Sequence, residues 1–186
     1  MNITVNIDGE QKVIARLNKI DEKMRPELKK ALNRIGIVLT NHIRGKLSGG
    51  VLKVRTNRLR GSINYKIFDS IKELFVSAGT NIAYGRIHEY GGTIEGSPWL
   101  TIPLPAAQTA SGVLRARARD WVDTFFRTSS NGNLILFQKR GKEAVPLFVL
   151  KHSVTIPKRP YMKPTLAEKR QTILSELQSA LKRVIG

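Results

Sequence analysis

The sequence contains no cysteine among its 186 residues. A disulfide framework, a thiolate zinc site and a cysteine nucleophile are therefore excluded. Long hydrophobic runs are also missing, since residues 35–40 and 146–150 are far shorter than the roughly 20 residues that a membrane-spanning helix needs. Residues 1–8 lack the basic start and apolar stretch of a signal peptide. We therefore expect a soluble protein that is made in the cytoplasm and has no membrane partner.

Acidic residues are scarce, with 14 Asp and Glu against 32 Lys and Arg and a formal net charge of +18. A surface of this kind attracts nucleic acid, acidic protein surfaces or anionic lipid before specific contacts form. The excess is clustered rather than uniform. The candidate subunit or partner contacts are Lys53, Arg55, Arg58, Arg60, Arg115, Arg117, Arg119, Lys139, Arg140, Lys158 and Arg159.

These basic segments have two interpretations. A solvated cationic face that keeps the protein soluble explains most charge runs. Several clusters in one small protein would repel one another, however, unless a polyanion or an acidic protein met them, so we favour contact with a partner. The clusters contain no interleaved aromatic residues that could stack on bases. Any nucleic-acid contact would then involve phosphates and would weaken strongly with salt.

The spacing of apolar residues predicts three helices. One helix follows a cap at Asp8 and reaches Met24, and a second begins at Pro26 and ends at Ser48, because proline suits a first helical position. A terminal helix follows Thr165 and Glu168, which have the spacing of a capping box.

Alternating residues predict the strands. They lie at residues 2–7, in a hairpin over residues 63–78, and at residues 134–137, 146–150 and 154–156. The connections between the last three are too short for crossover helices, so the sheet should be antiparallel. Residues 98–133 are expected to form an irregular excursion with a short helix, because Pro98, Pro103 and Pro105 interrupt any ladder. Within it, residues 106–133 form an arm that Trp121, Phe125 and Phe126 could dock on the body of the protein. We predict one α+β domain over residues 1–186, with an antiparallel sheet packed against long N-terminal and C-terminal helices and with extended loops.

The sequence offers little catalytic chemistry. His88-Glu89 lacks the second histidine that a zinc-protease helix carries four residues after the first, because position 92 is glycine. Asp120 and Asp123 are too few to hold the magnesium of a nuclease. Serine-hydrolase and phosphate-loop motifs are missing. We expect a protein that is not an enzyme and that has no cofactor or metal.

Two segments have a structural interpretation instead. In Tyr84–Gly92 a helical turn should end at the paired glycines, which can adopt positive φ, and His88 and Glu89 should be polar anchors. Residues 157–164 should form a stiff, extended connector, because each proline restricts the residue before it.

The same segments carry a resemblance. Tyr84–Gly92, Trp99–Leu104, Leu147–Pro157 and Arg159–Leu166 resemble, in this order, the tail-completion proteins of long-tailed bacteriophages, a group also labelled phage virion morphogenesis or minor tail proteins. The pieces span most of residues 25–186. The matching positions are expected to maintain the fold or subunit contacts, and they are Ile87, His88, Glu89, Tyr90, Gly91, Gly92, Arg159, Pro160 and Pro164.

The resemblance implies a structural virion protein of the neck, where the DNA-filled head joins the tail. It implies a homo-oligomeric ring, expected to be a hexamer, assembled in the bacterial cytoplasm. Its neighbours would be head-completion or connector proteins and tail terminator or tail tube proteins, with possible non-specific contact to DNA in the channel. A tail terminator and a basic nucleic-acid-binding accessory protein are the alternatives, and salt dependence of DNA binding separates the latter from a ring protein.

Overall fold

The computed structural model describes residues 10–70 and 73–185 and has the predicted α+β composition, with long helices near both ends and antiparallel sheets. Its contacts group the chain into two compact units. The helical unit contains the described parts of residues 1–45, 63–80 and 162–186, and the sheet unit contains residues 46–62 and 81–161. The single domain over residues 1–186 stays a prediction. The strand predicted at residues 2–7 and the cap at Asp8 lie outside the described residues.

The first helix of the helical unit is α1, which runs without interruption over Glu10–Gly45. The predicted break at Pro26 is therefore wrong. Proline removes one backbone hydrogen bond from a helix, but α1 packs along the rest of the helical unit, and ion pairs form on both sides of the proline. Arg25 pairs with Asp69, and Glu27 pairs with Arg183 at 3.0 Å. The helix ends in an irregular turn at Lys46–Gly50, where Gly49 has φ of +118°, close to the predicted stop.

The predicted hairpin is confirmed as β1 (Asn64–Asp69) paired antiparallel with β2 (Leu74–Gly79). The C-terminal helix is also confirmed, in two parts, α4 (Lys163–Glu168) and α5 (Arg170–Ile185). The predicted cap is wrong, because α4 begins before Thr165, which is buried. Helices α1 and α5 and the hairpin pack together. The buried side chains of this unit include Ala31, Ile35, Leu39, Ile43, Ile63 and Ala180.

The sheet unit contains a four-stranded antiparallel sheet with the order β3-β6-β5-β4. Its strands are β3 (Gly92–Pro103), β4 (Thr124–Thr128), β5 (Leu134–Arg140) and β6 (Glu143–Ile156). The antiparallel pairing is as predicted. The two strands predicted at residues 146–150 and 154–156 are one strand, β6, because the polar residues between them continue to pair with β3.

The irregular arm predicted at residues 106–133 is only partly correct. Strand β3 continues through Pro98 because the register shifts there and four residues bulge between Glu95 and Leu100. Such a bulge at a sheet edge tolerates proline. Strand β4 was not predicted at all. The segment between β3 and β4 has two short 3-10 turns, Pro105–Ala107 and Ala118–Asp120.

That segment covers one face of the sheet. Ala107 is fully buried there, and Trp121 packs against the same core, which confirms the predicted docking for Trp121. For Phe125 and Phe126 the docking prediction is wrong, because both side chains lie in β4 and are exposed. The buried strand residues beneath it are Leu136, Leu147, Phe148 and Leu150. Two short helices complete the sheet unit. Helix α2 (Arg58–Ser62) begins within the basic segment at residues 53–60, and α3 (Ala83–Tyr90) precedes β3.

Candidate functional site: a backbone clasp and a basic surface

A buried carboxylate joins α3 to the connector that follows β6. The side chain of Glu89, 3% exposed, accepts a hydrogen bond from the backbone N–H of Tyr161 at 2.7 Å. The Tyr161 hydroxyl, fully buried, donates to the Gly85 carbonyl at 3.1 Å. The backbone N–H of Arg159 donates to the His88 carbonyl at 2.8 Å. We call these five residues the clasp.

The clasp explains why polar residues lie in the Tyr84–Gly92 segment. Glu89 acts as the predicted polar anchor, whereas His88 contributes its carbonyl. The Nδ1 atom of His88 is buried and has no hydrogen-bond partner among the described residues. Burial, and then the nearby Arg159 cation, lower the pKa of His88. Burial, followed by the charge of Glu89 and the nearby Tyr84, raises the pKa of Tyr161 to about 12. Sequence reasoning did not identify Tyr161 as the central residue.

Gly91 ends α3 as predicted, with φ of +73°, and its N–H donates to the Ile87 carbonyl at 2.8 Å. A Cβ atom at Gly91 would lie 3.0 Å from the backbone nitrogen of Lys158. Glycine is therefore required twice here, for the positive φ and for the close approach of the connector. Gly92 also has a positive φ, of +147°.

The remaining motif positions have different environments. Tyr90 is 57% exposed, so its ring is presented on the surface. Pro160 is half-buried in the connector of the sheet unit. Pro164 lies in the first turn of α4, in the helical unit, where its missing N–H costs no helical hydrogen bond.

The structure brings three of the four basic segments together. Arg55 lies beside Gly112, with the guanidinium 3.5 Å from the Gly112 carbonyl oxygen. Arg115 follows in the same loop and donates to the Gln108 carbonyl at 2.8 Å. The segment at residues 53–60 thus adjoins the segment at residues 115–119.

The basic segment at residues 139–142 adjoins the segment at residues 115–119 through a backbone hydrogen bond. The N–H of Lys139 donates to the carbonyl of Asp123 at 2.9 Å, only four residues after Arg119. Lys158 and Arg159 lie elsewhere, beyond the other end of β6. A strand of 14 residues separates them from the β5–β6 turn by about 40 Å. The basic surface, as we define it, consists of Lys53, Arg55, Arg58, Arg60, Arg115, Arg117, Arg119, Lys139 and Arg140.

The two units differ in how their cations are neutralised. In the helical unit Asp69 contacts Arg25 and Lys29, and Glu176 contacts Arg34 at 2.7 Å. The hydrogen bond from Arg25, and then that from Lys29, lower the pKa of Asp69.

The sheet unit contains sixteen Lys and Arg but only five Asp and Glu. One of the five, Glu89, is committed to the clasp. Asp120 contacts Arg119 only at 3.8 Å, with both side chains exposed. Few carboxylates of the sheet unit itself are therefore available to neutralise the basic surface, so this unit would attract an anionic partner.

Metal-binding clusters and membrane-spanning helices are both missing from residues 10–70 and 73–185, which the structure describes. No three His, Asp or Glu side chains are arranged there to hold a metal ion. None of the described helices is both long and apolar enough to span a bilayer.

A protein-family model matches part of this chain. Neither the curated proteins nor the solved structures contain a match to this chain. The model of a family of unknown function, DUF6441, matches residues 1–143, which include α1, the hairpin, α3 and strands β3 to β5. Because this match covers well over half of the sequence, the chain belongs to the DUF6441 family.

Proposed function

We propose that this protein is a structural, non-enzymatic component of the neck of a long-tailed bacteriophage. In this role it forms a homo-oligomeric ring that completes or caps the tail so that the head can attach. The observation that carries the proposal is the arrangement of the segments that resemble tail-completion proteins. They are far apart in the sequence, but their parts within residues 84–161 form one substructure of the sheet unit, whereas residues 162–166 belong to the helical unit.

Two sets of backbone contacts hold that substructure together. Leu100–Pro103 of β3 pair with Phe148–Lys151 of β6 in an antiparallel ladder. The clasp ties α3 to the connector through Glu89 and Tyr161. Such contacts between distant motifs are expected if this protein has the same fold as the tail-completion proteins, because each motif supplies one partner of a long-range contact.

The use of the buried polar groups also favours a structural role. A catalytic carboxylate must reach a substrate, whereas Glu89 is buried and bonded to backbone. The Tyr161 hydroxyl is likewise directed to a backbone carbonyl. The polar residues of this motif therefore stabilise the fold, and the exposed cations of the basic surface are the groups that can meet a neighbouring protein or DNA.

Electron microscopy of particles made after disruption of the gene tests the proposal. We expect full heads lying apart from tails of normal length, with joined particles restored by the wild-type gene supplied in trans. Tails of abnormal length would instead assign the protein as a tail terminator. Normally joined particles would refute a structural role in the neck.

A second candidate function is a nucleic-acid-binding accessory protein. The excess of sixteen basic over five acidic residues in the sheet unit favours it. Fluorescence anisotropy with a labelled DNA duplex at increasing salt distinguishes it from the neck role. Binding through several phosphates weakens by orders of magnitude between about 50 and 200 mM salt. Oligomerisation through apolar and polar ring contacts should largely survive the same change.

A further inference from the structure

Strand β4 forms an open edge of the sheet. It pairs with β5 on one side, over Thr124–Thr128 and Leu134–Gln138, and it is the last strand in the order β3-β6-β5-β4. An edge strand exposes a row of backbone groups that can pair with another chain. Which residues expose them follows from the ladder.

Hydrogen bonds at the two ends of the β4–β5 ladder fix its phase. The N–H of Lys139 donates to the Asp123 carbonyl, and the N–H of Ser129 donates to the Asn133 carbonyl, both at 2.9 Å. In an antiparallel ladder hydrogen-bonded pairs alternate with non-bonded pairs, so residues 125 and 127 bond to β5. The N–H and C=O groups of Thr124, Phe126 and Thr128 consequently point away from β5, toward the open edge.

The two edges of this sheet differ in protection. The β3 edge contains a four-residue bulge with Pro98, and it ends at Pro103. Bulges and prolines are the features that prevent strand addition at an edge. The sequence of β4, Thr-Phe-Phe-Arg-Thr, has neither. Phe126 is 60% exposed and the preceding Val122 is 72% exposed, so this edge is both open and apolar.

The charge around β4 identifies the kind of strand that fits it. Arg127 is exposed and lies across from Ile135 on β5, and Lys139 and Arg140 follow on that strand. Three arginines, Arg115, Arg117 and Arg119, and two carboxylates, Asp120 and Asp123, precede β4 in the chain, so the local charge is still positive. An added strand would therefore lie among cations that have few carboxylate partners in this unit.

We propose that the open edge of β4 pairs with an extended segment of a partner protein that has acidic and apolar residues in alternation. An apolar residue of that segment lies beside Phe126, and an Asp or Glu lies beside Arg127 on the opposite face. Directly opposed residues of neighbouring strands share a face, so the alternation of β4 dictates the alternation of the partner. Backbone hydrogen bonds supply the contact and side chains supply the selectivity.

A second copy of this chain is a poorer occupant. Pairing β4 with β4 would place two sheet units, each with sixteen cations against five carboxylates, against one another. Like charges brought together at an interface oppose association. The inference depends on the fold of the sheet unit alone, and it would hold whether or not the protein is a virion component.

Fluorescence anisotropy of the full chain tests the proposal. The probe is a labelled, end-blocked peptide of sequence Thr-Glu-Val-Glu-Val-Glu-Thr, and its control has Lys in place of each Glu. Thr128→Pro removes one outward N–H without removing a bond to β5, and Thr128→Val keeps the N–H with a similar shape. Arg127→Glu reverses the charge at the open edge. The control, Arg86→Glu, makes the same change on α3, which leads into β3 at the other edge of the sheet.

We expect the acidic peptide to bind at least tenfold more tightly than the Lys peptide. Thr128→Pro should weaken binding about fivefold, as expected for one hydrogen bond, and Thr128→Val should leave it unchanged. Arg127→Glu should weaken binding more than Arg86→Glu. A peptide N-methylated at alternate residues, which cannot complete the ladder, should fail to bind the wild-type protein, so the test does not depend on the proline variant folding.

Four results would overturn the proposal. Equal binding to the Thr128→Pro and Thr128→Val proteins, or undiminished binding of the N-methylated peptide, would exclude strand addition. Displacement of the peptide by a DNA duplex that binds equally to the Thr128→Pro and Thr128→Val proteins would assign the surface to nucleic acid. Self-association in sedimentation, lost in Thr128→Pro and kept in Thr128→Val, would make a second copy the occupant.

Discussion

Replacement of Glu89 by alanine is the most direct test of the clasp. In the wild-type protein its carboxylate is 3% exposed and accepts the N–H of Tyr161 at 2.7 Å. Alanine leaves that buried N–H without this acceptor, which costs about 1–3 kcal/mol, and the lost side-chain atoms add to the cost. We expect the sheet unit to lose about 3 kcal/mol of unfolding free energy. Glu89→Gln, which keeps an acceptor oxygen, should lose less than half as much.

The two tryptophans make this measurement specific to one unit. Trp99 and Trp121 both lie in the sheet unit, so their fluorescence during urea unfolding reports on the unit that contains Glu89. Far-ultraviolet circular dichroism follows mainly α1 and α5, in the helical unit. A loss below about 0.5 kcal/mol in the fluorescence transition of Glu89→Ala, within the range of ordinary surface substitutions, would refute the clasp as a stabilising contact. So would a change confined to the dichroism transition.

Three further predictions concern single residues. Gly36→Ala should lower the melting temperature, because an added Cβ would overlap the ring of Tyr65, which packs on Gly36 from strand β1 of the hairpin. Gly45→Ala should not lower it, because the space around Gly45 is open. Gly91→Ala should destabilise the sheet unit more than Gly132→Ala in urea unfolding, since φ is +73° at Gly91 and +74° at Gly132 but an added Cβ would meet other backbone atoms only at Gly91. Equal losses would show that the positive φ, and not the close approach of the connector, causes the destabilisation. Tyr161→Phe should be less stable than wild type at pH 9, and this difference should shrink as the pH rises from 10 to 12. The unfolded tyrosine loses its proton near 10, whereas the folded one keeps it until about 12, and a pH-independent difference would contradict the raised pKa of Tyr161.

Local periodicity identified most of the elements. The hairpin, the terminal helix and the antiparallel strands were predicted because each buries one face, and a repeat of two or 3.6 residues records that burial in the sequence. The end of α3 at Gly91 was predictable for a different local reason, since positive φ favours glycine. The candidate cations were also visible in the sequence, because charge requires no fold to be counted.

Proline positions were read less well. Pro26 suggested a helix start, but α1 continues through it, and Pro98 suggested the end of any ladder, but β3 bulges around it. A proline in the sequence shows which local hydrogen bond is missing. It does not show whether other contacts compensate for that loss, because those contacts involve residues far away in the chain.

The helical and strand periodicities, the excess of positive charge and the glycine that ends α3 were predictable from the order of amino acids alone. Only the folded chain shows that Glu89 meets Tyr161, 72 residues later, that three basic segments adjoin, and that β4 rather than β3 is the unprotected edge. The two groups of features differ in the range of the interactions that produce them. Periodicity and backbone preference act within a few residues, whereas a buried hydrogen bond and the order of strands in a sheet depend on which distant segments pack together.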